Sequence, residues 1–112
     1  REQNNLQLII MANTDYGFIP SHPGLLLKDE IEYRGLSQRQ LADDMQMSYT
    51  VINELLNGKR PLSPTTALMF EATLGVDADT LMRMQTRYNM QVARNDSSLL
   101  AKLKKMRKIA AL

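Results

Sequence analysis

The run Ser37-Gln38-Arg39-Gln40-Leu41-Ala42-Asp43-Asp44-Met45-Gln46-Met47-Ser48-Tyr49-Thr50-Val51-Ile52-Asn53-Glu54-Leu55-Leu56-Asn57-Gly58-Lys59-Arg60 reads as two short helices about Gln46-Met47. Ser37 and Gln40 have capping-box spacing: the hydroxyl can accept the N–H three residues on, and Gln40 can reach back. The first segment runs to about Met45 and turns Leu41, Ala42 and Met45 inward. Ser48 caps a second segment, to Asn57, with Val51, Ile52, Leu55 and Leu56 at helical spacing. Gly58 supplies a left-handed stop. The short turn and the small Ala42 at the crossing predict a helix-turn-helix unit.

Subtracting the inward positions leaves Ser48, Tyr49, Thr50, Asn53 and Glu54 outward near the start of the second helix. In such units that end enters the major groove. Thr50 and Asn53 can hydrogen-bond base edges, and Tyr49 can reach a phosphate or stack on a sugar. Gln38 and Arg39 open the first helix, where exposed N–H groups favour phosphate. Lys59 and Arg60 follow the second helix as backbone clamps. Glu54 is repelled from a groove unless it accepts from a cytosine amine or pairs with a nearby cation. The bland alternative is a helix pair that merely packs. The caps, Ala42, the turn length and the closing Asn57-Gly58-Lys59-Arg60 together favour DNA binding.

Upstream, Leu6–Met11 is an apolar run of strand length, followed by Asn, Asp, Gly and Pro. Residues 1–22 read as an N-terminal arm with one possible short strand. Pro20 and Pro23 push their predecessors out of helical geometry, so a helix can begin at Pro23. It runs to about Arg34, with Leu26, Leu27 and Ile31 inward, and Gly35 stops it. Downstream, Ser63-Pro64 starts a helix that ends at Leu74-Gly75. Asp77 or Asp79 opens the next, with Leu81, Met84, Tyr88 and Val92 on one face. Asn95-Asp96-Ser97 breaks the pattern, and Ser97 or Ser98 can cap a sixth helix. Leu99, Leu103, Met106 and Ala110 form its apolar stripe, flanked by Leu100 and Ile109. The eight methionines read mainly as gap-filling core. The divisions expected are an arm at 1–22, a helix-turn-helix domain at 23–94 and a basic amphipathic helix at 97–112.

The 112 residues suit a single domain. A 44% hydrophobic, 23% charged chain with 5% aromatics builds its core from Leu, Ile, Met and Ala. Without Cys and with His22 as its one histidine, it holds no disulfide and no Cys/His zinc site. This fits a reducing, cytoplasmic setting. No apolar run approaches the ~20 residues that span a bilayer. No signal peptide is visible, and since Arg1 is not an initiator residue the start is expected upstream. The net charge of +2 hides a gradient: residues 23–75 carry five basic and seven acidic side chains, residues 76–112 eight and three. Residues 97–112 hold five cations and no anion, which suits an anionic partner or a solvated face. Catalysis finds no support. The carboxylates Asp29-Glu30-Glu32 and Asp43-Asp44 fall on exposed helical positions, and phosphate-cradling and metallohydrolase motifs are absent. His22 before Pro23 reads as a hydrogen-bonding residue at the mouth of the helix. Neither cofactor nor metal is expected.

Several segments together resemble the HigA-type addiction-module antitoxins, within the lambda-repressor-like, Xre-type helix-turn-helix class. They are His22-Pro23-Gly24, Gly35-Leu36-Ser37-Gln38, Leu41-Ala42, Leu55-Leu56-Asn57-Gly58-Lys59-Arg60, Ala72-Thr73-Leu74-Gly75 and Leu81 to Tyr88. The resemblance covers residues 22 to about 94. His-Pro-Gly joined to the helix bearing Gln85 and Tyr88 is its more particular feature. It implies an all-α, five-helix DNA-binding core, a homodimer, repression of the protein's own operon, and binding to a HigB-like toxin, a ribosome-dependent mRNA endonuclease. Carried over by position, the DNA contacts are Gln38, Tyr49, Thr50, Asn53, Asn57 and Lys59, with Arg60 nearby. Two departures stand out. Gln46 occupies a turn position often held by Gly, where a left-handed backbone costs roughly 1 kcal/mol, and Glu54 disturbs any transfer of base preference. Three function classes follow: an antitoxin binding both operator and toxin, a free-standing repressor, and a protein-interaction module that has lost DNA binding. The basic tail can pack on the core, pair in a dimer, cover a toxin or lie on a membrane surface.

Overall fold

The computed structural model describes residues 21–110, with side chains to Met106. Six helices and no strand occur among the described residues: α1 (Pro23–Tyr33), α2 (Gln38–Asp44), α3 (Tyr49–Leu56), α4 (Pro64–Leu74), α5 (Ala78–Arg94) and α6 (Ser97–Ala110). The expected strand at Leu6–Met11 and the arm up to Pro20 lie outside the described residues.

Side-chain caps open these helices where the sequence places them. Ser37, Ser48 and Ser63 accept the N–H of Gln40, Val51 and Thr66. Of the two expected caps for α5, Asp77 serves. Its carboxyl is held below its ordinary pKa, chiefly by the Thr80 hydroxyl and then by the Thr80 N–H. Two expectations need correction. Gln40 does not reach back to Ser37; its amide donates to Asp44 Oδ1 one turn on. Neither Ser97 nor Ser98 caps α6. Asp96 does, accepting from the N–H groups of Ser98 and Leu99 and from the Ser98 hydroxyl. A carboxylate there also suits the positive end of the helix.

The ends of α1, α2 and α3 share one device. After α1, the N–H of Leu36 bonds the Ile31 carbonyl while Gly35, at φ +69°, bonds Glu32. The same six-to-one and five-to-two pair closes α3 through Lys59 and Gly58, and α2 through Met47 and Gln46. This is the Schellman arrangement, which needs one left-handed residue. In α2 that residue is Gln46, at φ +54°. Replacing Gln46 by glycine is expected to stabilise the protein by about 0.5–1 kcal/mol, relieved backbone strain outweighing the greater freedom of the unfolded chain. A higher thermal midpoint with unchanged DNA affinity checks this.

Phe70 sits fully buried in the core, joined by Leu27, Ile31, Ile52, Leu55, Leu56, Leu62, Ala67, Leu74 and Leu81. In this core α1 and α2 pack on α3, while α5 packs on α4 and α1. Ala42 is buried, as its small size required. Some inward assignments fail. Val92 is exposed beyond the body of the core. Met45 and Met84 are buried, and Met47 and Met82 pack against the core, but Met69, Met90 and Met106 are exposed. α6 contacts the body through α5, and Leu100, Leu103 and Met106 on its stripe face outward.

Candidate nucleic-acid interface

The turn at Gln46-Met47 presents the start of α3 to solvent. Ser48, Tyr49 and Thr50 are exposed and Asn53 is half-buried behind them. Two contacts hold this face in shape. Asn53 Nδ2 donates to Gln38 Oε1 at 3.0 Å, tying α3 to the first turn of α2. The Arg39 guanidinium lies 4.4 Å from the centroid of the Tyr49 ring. That cation–π contact places a positive charge and a phenol side by side at the mouth of two helices. Six of the nine residues expected at the DNA (Gln38, Arg39, Ser48, Tyr49, Thr50 and Asn53) therefore form one cluster.

The remaining three lie at the other end of α3 and differ among themselves. Lys59 is exposed and makes no ion pair among the described residues. Arg60 pairs with Glu54, its guanidinium 2.7 Å from Oε1. This is the nearby cation that Glu54 required. Asn57 is bonded inside the molecule: it accepts from Lys28 Nζ at 2.9 Å and donates to the Asn53 carbonyl at 2.8 Å.

The loop carrying these residues is fixed from behind by Gln85, whose role the sequence did not disclose, and by His22, the hydrogen-bonding residue expected at the mouth of α1. Gln85, buried on α5, accepts the Leu62 N–H at 2.8 Å and donates to Asn89. His22 is buried against Tyr88, ring centroids 5.1 Å apart and nearly perpendicular. Its Nδ1 accepts the Gly24 N–H at 2.9 Å and so caps α1. Accepting at Nδ1 defines the neutral imidazole with its proton on Nε2. Burial pushes its pKa below the ordinary value, and the Arg60 backbone opposes this more weakly. The pairing of His-Pro-Gly with Gln85 and Tyr88 was the one visible signal. Its meaning is that α5 holds both the start of α1 and the loop after α3.

A helix-turn-helix family pattern matches residues 27–81. The chain is 36% identical over 76 residues to "Virulence-associated protein I" of Dichelobacter nodosus, covering 67% of this chain and 70% of that protein. The chain belongs to the Xre-type helix-turn-helix family. Such helix-turn-helix regulators are not an enzyme class. Solved relatives extend the likeness. A HigA-family addiction-module antidote protein from Coxiella burnetii superposes on this helix-turn-helix protein with a TM-score of 0.67. The two are 28% identical, over 77% of this chain and 92% of the other. The Pseudomonas aeruginosa antitoxin HigA, solved with the higBA promoter, gives 0.64 at 25% identity, over 78% and 90%. Among the described residues no acidic or His cluster could hold a metal ion, and no helix is long and apolar enough to cross a membrane.

Proposed function

We propose that this protein is the antitoxin of a type II toxin–antitoxin module. As a cytoplasmic homodimer it binds operator DNA and represses its own operon, and it neutralises a HigB-like mRNA endonuclease. The observation that carries the DNA-binding part is the braced, outward cluster of Gln38, Arg39, Tyr49, Thr50 and Asn53 at the open ends of α2 and α3. With α3 in the major groove, Thr50 and Asn53 meet base edges, while Arg39, Tyr49 and the exposed N–H groups behind Ser48 meet phosphates. Lys59 neutralises a phosphate from the far end. Arg60 and Asn57 act chiefly by holding Glu54 and Lys28, with residual donors turned to the backbone. The likeness to an antitoxin solved with its promoter supports DNA binding. Family likeness supports the toxin partnership, and the alternative is a free-standing repressor with the same DNA face.

In a dimer the half-sites lie about 34 Å apart, or a multiple of that. Asn53→Ala is expected to cost about 1–3 kcal/mol at one base position and to relax discrimination there. Lys59→Ala should weaken binding on every sequence and lower the salt slope by about one unit. Titrations on upstream DNA at several salt concentrations separate the two. If neither variant changes binding, α3 is not the reader. Co-expression with the adjacent small reading frame tests the antitoxin role. Growth rescue with co-purification supports it, and a harmless neighbour leaves the repressor alone.

A further inference from the structure

Among the described residues nothing covers the apolar stripe of α6. Leu100, Leu103 and Met106 are 40%, 40% and 59% exposed, and Leu99 alone among the described stripe residues is half-buried. At 100° per residue Lys102 and Lys104 border that stripe on either side, and the whole segment 97–112 contains no acid. Two such helices laid on one another would bring like charges together across a small apolar seam, which is unfavourable. The surface that suits α6 must be apolar and acidic at once.

The same chain carries one. Leu25, Asp29, Glu32 and Tyr33 fall within one arc of α1, and all four are exposed. Leu25 and Tyr33 are 44% and 54% exposed. Asp29 and Glu32 make no ion pair among the described residues, whereas Glu30 of the same helix is paired with Arg34. The face thus alternates apolar groups with unpaired carboxylates, the counterpart of a stripe of Leu and Met edged with lysine. The acidic middle and basic end of the sequence become two halves of one contact.

We infer that two copies of the chain exchange α6, the basic amphipathic helix of each lying on the acidic α1 face of the other. This deepens the homodimer reading above and rests on it. The contact is isologous, so a two-fold axis produces it twice. Burying both stripes shields the exposed leucines, and the four charges of each contact, Lys102 and Lys104 against Asp29 and Glu32, fix the register.

Charge reversal with rescue tests this on the full-length protein by sedimentation equilibrium. Lys102→Glu with Lys104→Glu, and separately Asp29→Lys with Glu32→Lys, are each expected to raise the dimer dissociation constant at least about tenfold. Combining all four should restore it to within about threefold of wild type, because like charges no longer face each other. Unchanged thermal midpoints at low protein concentration check that the monomer fold is intact. A dimer indifferent to both reversals overturns the exchange while leaving operator binding in place. A wild-type protein that is monomeric at tens of micromolar also overturns it, with α6 then left for a toxin or an acidic membrane. Failure of wild type to bind operator DNA would instead count against the functional reading.

Discussion

Gly24→Ala is expected to destabilise the protein by about 3 kcal/mol or more, the upper end of what overpacking a rigid site costs. Gly24 is buried in the first turn of α1, where that helix crosses the end of α3. A Cβ built there overlaps the Leu55 carbonyl oxygen and presses on the Leu55 carbonyl carbon and His22 Nδ1. The first two are backbone atoms of the reading helix, so no rotamer change relieves the clash. Either α1 lifts from α3 or the domain unfolds, and a domain stable by only about 5–15 kcal/mol has little reserve. Urea unfolding measures the loss directly. Gly35→Ala is the control. It stands at φ +69° with nothing within 4 Å of an added Cβ, so it should cost only the left-handed backbone strain, about 1–2 kcal/mol. Equal losses for the two variants would mean that the close approach of α1 to α3 is not what glycine serves at position 24. At temperatures where Gly24→Ala remains folded, operator affinity should also fall, because α1 seats α3.

These residues show what the sequence made legible. Helix starts at Ser37, Ser48, Ser63 and Asp77 and stops at Gly35, Gly58 and Gly75 rest on local chemistry, and local chemistry is visible in a linear string. The helix-turn-helix followed from apolar spacing plus one small residue at a crossing. Glu54 posed a problem whose solution, a pairing cation, could be stated in advance, though not that Arg60 would be that cation. What stayed hidden depends on distance in space. Gln40 finds Asp44 instead of Ser37 because both partners lie within reach and the string does not rank them. Asn57 turns inward because Lys28, 29 residues earlier, arrives beside it. Met69, Met90 and Met106 fit a core pattern by spacing alone, but exposure depends on which neighbouring helix is present to cover them. Gln85 was noticed only by resemblance, since a polar residue on a buried face makes sense only once the Leu62 N–H beside it is seen.

His22→Ala is expected to cost about 2–4 kcal/mol, combining a lost helix cap with the void left by a buried ring. His22→Asn keeps an acceptor for the first turn of α1 and should recover about 1 kcal/mol of this, leaving the Tyr88 contact unfilled. The ring also makes stability depend on pH. Burial holds the folded imidazole below its ordinary pKa of 6.5, so the unfolded chain binds the proton more readily. Stability rises with pH wherever the unfolded state holds more protons. The His22 contribution is therefore complete above pH 6.5 and declines as pH falls from there toward the folded value. Protonation of the folded ring would put an N–H at Nδ1 against the N–H of Gly24, which breaks the cap. His22 is the one histidine in the sequence. The capping carboxyls of Asp77 and Asp96 are depressed below 3.8, so they titrate well under this window. As pH falls from 6.5 toward the folded value, wild type should lose urea stability while His22→Asn stays level. Parallel curves for the two proteins would show that the imidazole is not buried neutral between α1 and Tyr88.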